Sequence, residues 1–363
     1  MALNRIRLTH FRNHAASQLV GSDKFNLLIG ENGAGKTNIL EAISLFAPGR
    51  GLRRAPLPDM AGRGGDGGFA VSAELQLGGH EPLTLGTGTH PSRPSRRIVH
   101  INSAESPAAS LGEWLSLSWL TPAMDRLFMD SPGGRRRFLD RLVLALEPAH
   151  ARNAARYDKA LSERNRLLSD QSTPDPRWLD ALDAQLSEAG ACISSARSQL
   201  IDRLNAAILT QPTGAFARPH LGYHAGGPLE SYALQMALAA NRPRDRAAQR
   251  SLIGPHRDDL IVTLPSPNTA PQPAASCSTG EQKAMLIAIT LAHAGLTGPS
   301  PTPRLLLLDE VAAHLDPIRR AALFDQLAGG PAQVWMTGTE ATPFAAIRAN
   351  LAQWHVADGK VLT

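Results

Sequence analysis

Apolar and polar positions alternate along Arg5-Ile6-Arg7-Leu8-Thr9-His10-Phe11, the pattern of a strand with one buried face. Arg12-Asn13-His14 reads as the turn that follows it. Phe25-Asn26-Leu27-Leu28-Ile29 is a short, mostly apolar run and predicts a buried strand, and Asn38-Ile39-Leu40-Glu41-Ala42-Ile43 predicts a helix. Phe69, Val71, Ala73, Leu75 and Leu77 then share one strand face. Leu83 and Leu85 begin a partner strand across Gly78-Gly79-His80, and Arg97-Ile98-Val99-His100-Ile101 makes a third, so an antiparallel meander is expected. Residues 87–96, rich in Gly, Pro, Ser and Thr, predict a loop. Leu115-Ser116-Leu117-Ser118-Trp119-Leu120 predicts one more strand, ended by Thr121-Pro122.

The period changes from about Ser131 onward. Gly134-Arg135-Arg136-Arg137-Phe138-Leu139-Asp140 opens a helix, with Pro132 suited to its first turn. A second helical pattern runs through Tyr157, Leu161, Leu167 and Leu168, and Pro174 and Pro176 break it. Leu179, Leu182, Leu186, Ala189, Ile193, Ala196, Leu200, Leu204 and Ile208 recur every three or four residues. That stripe predicts the longest helix, packed against its predecessors as a helical arm or as a core helix of a bundle. Another helix is expected over residues 229–240. Strand signal returns in Ser251-Leu252-Ile253-Gly254 and Leu260-Ile261-Val262-Thr263-Leu264, with a proline-rich loop over 265–273. The fold class is therefore α/β, with one domain from segments 1–125 and 250–363 and an inserted helical domain, 126–249.

Composition narrows the class. A chain of 363 residues, 43% hydrophobic and 19% charged, suits a globular protein with a sizeable core. No stretch approaches the roughly 18 apolar residues of a membrane span, and the N-terminus lacks the apolar core of a signal peptide. The two cysteines give no disulfide framework and no zinc site, so a cytoplasmic location is expected. The net charge of +5 permits a nucleic-acid partner without requiring one. An aromatic content of 5% argues against single-strand binding on rows of stacked rings.

The chemistry concentrates in a few stretches. Gly30-Glu31-Asn32-Gly33-Ala34-Gly35-Lys36-Thr37, followed by Asn38, matches G-x-x-x-x-G-K-[ST] between a predicted strand and a predicted helix. Its glycines let the backbone wrap a phosphate chain, and its N–H groups and the helix dipole favour an anion. Lys36 can reach the β- and γ-phosphates, and the Thr37 hydroxyl can ligate Mg²⁺. Arg304-Leu305-Leu306-Leu307-Leu308-Asp309-Glu310 is an apolar run closed by two carboxylates, as in a Walker B strand. Asp309 would hold Mg²⁺, directly or through water, and Glu310 would orient or deprotonate the attacking water. Cys277-Ser278-Thr279-Gly280-Glu281-Gln282-Lys283 precedes an apolar helix over 284–294 and resembles the signature motif of ABC ATPases. Ser278 and Gly280 would then cradle the γ-phosphate held by a partner's loop; Ser278 with Glu281 also fits a capping box. Ala313-His314-Leu315-Asp316 resembles the D-loop of that superfamily. Gln333-Val334-Trp335-Met336-Thr337-Gly338-Thr339 reads as a last core strand, with Thr337 or Thr339 where transporters place a switch histidine. The basic turn Pro48-Gly49-Arg50-Gly51-Leu52-Arg53-Arg54 is either a nucleotide or DNA contact or a solvated loop.

With these stretches placed, the chain resembles the RecF family of bacterial recombination mediators over essentially its full length. The marks are Leu8-Thr9-His10-Phe11-Arg12-Asn13, the phosphate loop and Ser131-Pro132 with the arginine run behind it. To these add Gly254-Pro255-His256-Arg257-Asp258-Asp259 and Ser278-Thr279-Gly280-Glu281-Gln282-Lys283. One departure is Ala123-Met124-Asp125 after Pro122, where many members of that family carry an acidic pair. The resemblance implies a P-loop ABC-type ATPase head, similar to SMC heads, split in sequence by a helical arm. It implies ATP and Mg²⁺ as cofactors, a slow DNA-stimulated ATPase, and an ATP-dependent homodimer. That dimer would clamp double-stranded and gapped DNA and, with RecR and functionally RecO, help load RecA. Arg135, Arg136 and Arg137 would be candidate phosphate contacts. The alternatives are an SMC-like structural head, an ABC transporter ATPase subunit, or a P-loop kinase or GTPase. The short helical insert, the missing glutamine loop and switch histidine, and the late Walker B strand speak against them in turn.

Overall fold

A computed structural model gives the structure of the chain, describing residues 3–62, 64–77, 81–170, 175–212, 214–266, 270–296, 302–347 and 350–362. In chain order the elements begin β1 (Leu3–Phe11), β2 (His14–Val20), β3 (Phe25–Ile29), α1 (Lys36–Ser44), β4 (Phe69–Leu75), β5 (Leu83–His90), β6 (Arg93–Ile101), β7 (Ala104–Glu105) and β8 (Ser116–Leu120). Helices α2 (Pro132–Leu146), α3 (His150–Ser169) and α4 (Pro176–Thr210) follow, then β9 (His220–His224), α5 (Ser231–Ala247), β10 (Asp259–Leu264), β11 (Gln272–Pro273) and α6 (Thr279–Gly295). The chain continues with β12 (Arg304–Leu308), α7 (Pro317–Gly329), β13 (Gln333–Gly338), β14 (Leu351–Ala357) and β15 (Lys360–Leu362). Two compact units result: Met1–Met124, Pro212–Phe216 and His293–Thr363 form one, Asp125–Gln211 and Ala217–Ala292 the other. This division differs from the expected return to the head at residue 250, because residues 250–292 group with the helices.

The first unit holds two six-stranded sheets. One, ordered β2-β1-β4-β5-β6-β7, is antiparallel throughout and contains the expected meander. The other is ordered β15-β14-β3-β13-β12-β8. Its five strands from β14 to β8 run parallel, and only β15 is antiparallel. Such strands are covered on both faces, which is why Leu305 to Leu308 can all be apolar and why every residue of β13 is buried. Ile6, Leu8 and Phe11 of β1, Ile39 and Ile43 of α1, and Leu307 and Trp335 belong to a single core. In it Trp335 and Trp354 stack with ring centroids 5.5 Å apart.

Several elements differ from the sequence expectation. Residues 87–96 are not a loop but the end of β5 and the start of β6, paired from Thr87↔Val99 to His90↔Arg93. Cross-strand pairing, to both β4 and β6 for Thr87 to Thr89, overrides the Gly, Ser and Thr content. Ser251-Leu252-Ile253-Gly254 is not a strand; it leads into a 3₁₀ turn at Pro255–Arg257. Strands β2, β9, β14 and β15 carry too few buried apolar positions to announce themselves: β2 buries only His14, Ser17 and Leu19. The turn expected at Gly78-Gly79-His80 and the break at Pro174 lie outside the described residues, as does part of the proline-rich loop.

In the second unit, all nine residues of the predicted α4 stripe are buried, so that stripe is the packing face. It meets Tyr157 and Leu168 of α3 and Leu234 and Leu238 of α5. The unit also holds a buried polar lattice. Arg164, fully buried, donates to Asp183 (2.7 Å), Asp245 (2.7 Å), the Ser251 hydroxyl (2.7 Å) and the Leu238 carbonyl (3.0 Å). A guanidinium taken out of water is tolerable only when its donors are used in this way.

Two of the family marks meet in that unit. Arg135 forks onto Asp259 (2.8 and 2.7 Å), and Arg136 donates to the Asp258 carbonyl (2.7 Å). Arg197 bridges Asp140 and Asp258. His256 accepts from the Tyr157 hydroxyl at Nδ1 (2.7 Å) and donates from Nε2 to the Ser251 carbonyl (2.9 Å). Arg135 and Arg136, expected as DNA contacts, are therefore committed to internal partners, and of that run only Arg137 is exposed.

Candidate nucleotide site

Strand β3 ends at Ile29 and α1 begins at Lys36, so the glycine-rich stretch is the link between them. Glu31, Asn32 and Gly33 form its exposed lip, while Ala34, Gly35 and Lys36 are buried and Thr37 and Asn38 half-buried. Gly33 (φ 85°) and Gly35 (φ 116°) adopt left-handed backbone that other residues rarely accept. Gly35 is the cap of α1 and uses no side chain for it, so the first N–H groups of the helix are left for a ligand. The Lys36 ammonium lies across the loop and donates to the carbonyls of Gly30 (2.7 Å) and Glu31 (2.8 Å). Burial lowers its pKa, and the charges of Glu310 and Asp309 work against that shift.

Asp309 and Glu310 emerge from the C-terminal edge of β12, two strands from β3. The Asp309 Oδ1 accepts from the hydroxyls of Thr37 (2.9 Å) and Thr337 (2.9 Å). Burial raises the pKa of Asp309, and those two hydrogen bonds oppose the rise. Glu310 sits at φ 54°, a conformation costing a non-glycine residue about 1–3 kcal/mol. Its N–H donates to the Thr337 hydroxyl (2.8 Å), which helps hold it there. Thr337, at the end of β13, thus ties both carboxylate residues together from the strand between β3 and β12. Nothing in the sequence separates Thr337 from Thr339, because the adjacency of β13 to β12 that brings Thr337 to Asp309 is made by tertiary pairing.

A second layer lies behind the loop. Glu41 of α1 is fully buried and receives a fork from Arg12 (2.9 and 2.7 Å) and a contact from Arg53 (3.1 Å). Arg53 also donates to the Asn38 side chain (2.7 Å), so the basic turn does reach the phosphate-loop helix. Arg97 anchors that turn by donating to the carbonyls of Leu45, Ala47 and Gly49, at the end of α1 where the helix dipole is negative. Burial pushes Arg97 down to about 10. Beside Asn38 a hollow of about 430 Å³ is lined by His10, Arg12, Asn13, Asp59 and Gly62.

The signature-like stretch belongs to the second unit. Ser278 and Gly280 are exposed at the start of α6. The Glu281 carboxylate accepts from the Ser278 N–H (2.8 Å) and hydroxyl (2.7 Å), and the Glu281 N–H donates back to that hydroxyl (3.3 Å). This is the capping box expected from S-x-x-E.

The donor set suits magnesium: a threonine hydroxyl and one buried carboxylate are hard oxygen ligands of the kind Mg²⁺ prefers. No group of three or more His, Cys, Asp or Glu able to hold a metal exists among the described residues.

A parallel sheet with a phosphate loop at β3, a carboxylate pair at β12 and an inserted helical unit defines an ABC-type head of the SMC-like class. The family model described as RecF/RecN/SMC N terminal domain matches residues 2–357. The chain belongs to the RecF family. It is 47% identical over 360 residues to the DNA replication and repair protein RecF of Mesorhizobium japonicum, covering 95% of this chain and 93% of that one. The corresponding protein of Rhizobium etli is 43% identical over 383 residues, covering 99% and 98%. A solved structure of the recombination mediator protein RecF-ATP in the RecFOR pathway superposes with a TM-score of 0.84 at 21% identity, covering 99% and 97%. A solved SMC head, bound to the C-winged helix domain of ScpA, superposes at 0.55 with 15% identity.

Proposed function

We propose that this protein is an ATP-driven DNA clamp of recombinational repair, working in the cytoplasm. ATP binds the loop Gly30 to Thr37, two heads close on two nucleotides, and the closed dimer holds duplex DNA near single-strand gaps. Hydrolysis, slow and stimulated by DNA, reopens it. RecR and, functionally, RecO join it in loading RecA. The observation that supports this reading is the cluster Thr37–Asp309–Thr337–Glu310 beside the loop Gly30 to Thr37: the Asp309 carboxylate accepts from both threonine hydroxyls, and the Glu310 N–H donates to Thr337. The names of the relatives point to the same biological setting.

The chain's own groups divide the work. Lys36 exchanges the Gly30 and Glu31 carbonyls for the β- and γ-phosphate oxygens. Thr37 and Asp309 would hold Mg²⁺, which when bound neutralises charge on the phosphates. Glu310 orients the attacking water. The hollow beside Asn38 is large enough for a base and ribose, ligand pockets starting at about 300 Å³. Ser278 and Gly280 serve the nucleotide of the other subunit.

The shared site is tested by mixing two inactive variants. Ser278→Arg keeps its own loop but cannot close on a partner; Lys36→Ala keeps its signature but holds no nucleotide. Each heterodimer then has one intact composite site, so hydrolysis should show a hump near equal parts at fixed total protein. A flat baseline from two folded proteins contradicts a site shared between subunits.

Clamping is tested by sedimentation with gapped duplex DNA. Binding should require ATP and weaken steeply with salt, each phosphate contact contributing a slope of about −0.9 in log K against log[salt]. Exposed Arg137 and Arg257 are the cations of the two family marks left to make such contacts. Tight binding without nucleotide, indifferent to salt, contradicts the clamp.

A further inference from the structure

The phosphate loop is gripped by two hairpins that hydrogen-bond its backbone carbonyls. The β1–β2 turn contributes Asn13 and His14, and the β14–β15 turn contributes Asp358-Gly359. The Ala34 carbonyl accepts from the Asn13 side-chain amide (3.1 Å) and from the Gly359 N–H (2.9 Å). The Gly35 carbonyl accepts from His14 Nε2 (3.0 Å), besides the helical N–H groups of Asn38 (3.0 Å) and Ile39 (3.2 Å). In a planar trans peptide the carbonyl and the following N–H point in opposite directions. Drawing these two carbonyls outward therefore turns the N–H groups of Gly35 and Lys36 into the loop, where phosphate oxygens bind.

His14 joins the two turns. It is wholly buried, and the Ser17 hydroxyl lies 2.8 Å from its Nδ1 and 3.2 Å from the Gly359 carbonyl oxygen, its single proton serving one of these two acceptors at a time. A carbonyl can only accept, so Nε2 carries the proton toward Gly35. Burial holds the imidazole below its usual pKa, opposed by the Gly35 and Gly359 carbonyls. Gly359 is at φ 72°, and a Cβ on it would stand 2.0 Å from the Asn13 carbonyl oxygen. Only glycine lets the second turn sit this close to the first.

We infer that His14 is a positioning residue for nucleotide binding: with the Gly359 turn it fixes the Ala34 and Gly35 peptides, making the β14–β15 hairpin part of the ATP site. The inference rests on the loop being an ATP site, which Lys36→Ala tests separately. The experiment measures MgATP affinity at a temperature well below melting for wild type, His14→Leu, His14→Gln and Gly359→Ala, with the thermal midpoint of each. Loss of one hydrogen bond should make His14→Leu bind about five- to tenfold more weakly. His14→Gln, whose amide can still donate to Gly35, should return to within about twofold of wild type. Gly359→Ala should reproduce the loss from the other end of the chain. Hydrolysis at saturating ATP should change little, so the effect falls on KM rather than kcat.

A purely structural histidine would lower the midpoint of both His14 variants alike and leave the affinity of the folded protein unchanged, which overturns the inference. Failure of His14→Gln to recover affinity overturns it too. Should His14→Leu not fold, wild-type affinity in Gly359→Ala is the overturning result. Wild-type protein that binds no ATP overturns this inference and the proposed function together.

Discussion

Replacing Lys36 with Ala should leave a folded protein that no longer binds ATP. The side chain crosses the loop and uses two of its donors on the Gly30 and Glu31 carbonyls. Those carbonyls belong to a half-buried and an exposed residue and can turn to water, so stability should fall by no more than about 1 kcal/mol. The ligand loses much more. Charge-assisted hydrogen bonds to two phosphates are worth about 1.5–3 kcal/mol each, so affinity should drop about a hundredfold or more. Lys36→Arg keeps the charge but carries a planar fork in place of a compact ammonium, so it should bind and fail to hydrolyse. Titration calorimetry with MgATP, beside a melting curve, separates the cases. Near-wild-type affinity in Lys36→Ala would remove the loop from the site.

Glu310→Gln should bind ATP, dimerise, and stay dimeric. The substitution keeps the shape of the side chain and the backbone N–H that donates to Thr337. Asp309 retains both of its hydroxyl partners, so the proposed Mg²⁺ site should survive. What is lost is the carboxylate proposed to direct water, and a general base contributes about 10²–10⁴ in rate. Size exclusion in ATP should show a dimer that persists for hours in the variant and decays in the wild type. A variant that stays monomeric while wild type dimerises would give Glu310 another role.

The loop and the carboxylate pair were legible in the sequence because each is contiguous: the spacing of Gly30, Gly35 and Lys36, and the apolar run before Asp309, are local facts. The α4 stripe was legible for the same reason, since a long helix prints its period on the chain. What could not be read is made by partners distant in sequence. Arg135 and Arg136 look like a surface patch until Asp258 and Asp259 fold against them. The role of Thr337 depends on β13 lying beside β12, and that of His14 on a turn from the other end of the chain. Residues 87–96 show the reverse error: a composition suited to loops becomes a hairpin when its first part is held in register between β4 and β6.

The position of β3 has a consequence for synthesis. Its two neighbours, β13 and β14, begin at Gln333 and Leu351, so Phe25 pairs with Val334 on one side and Leu351 on the other. A ribosome adding about 5–20 residues per second takes roughly 15–60 s to travel from the first of these partners to the last. Throughout that interval Phe25-Asn26-Leu27-Leu28-Ile29 has neither of its strand partners and presents two open edges. The helical unit, whose longest helix ends at Thr210, can fold during the wait because its core closes within its own segments. The nascent chain is thus an arm that matures early, tethered to a nucleotide strand that cannot. Aggregation at that edge, and its relief by a holding chaperone, should govern how much protein a cell recovers.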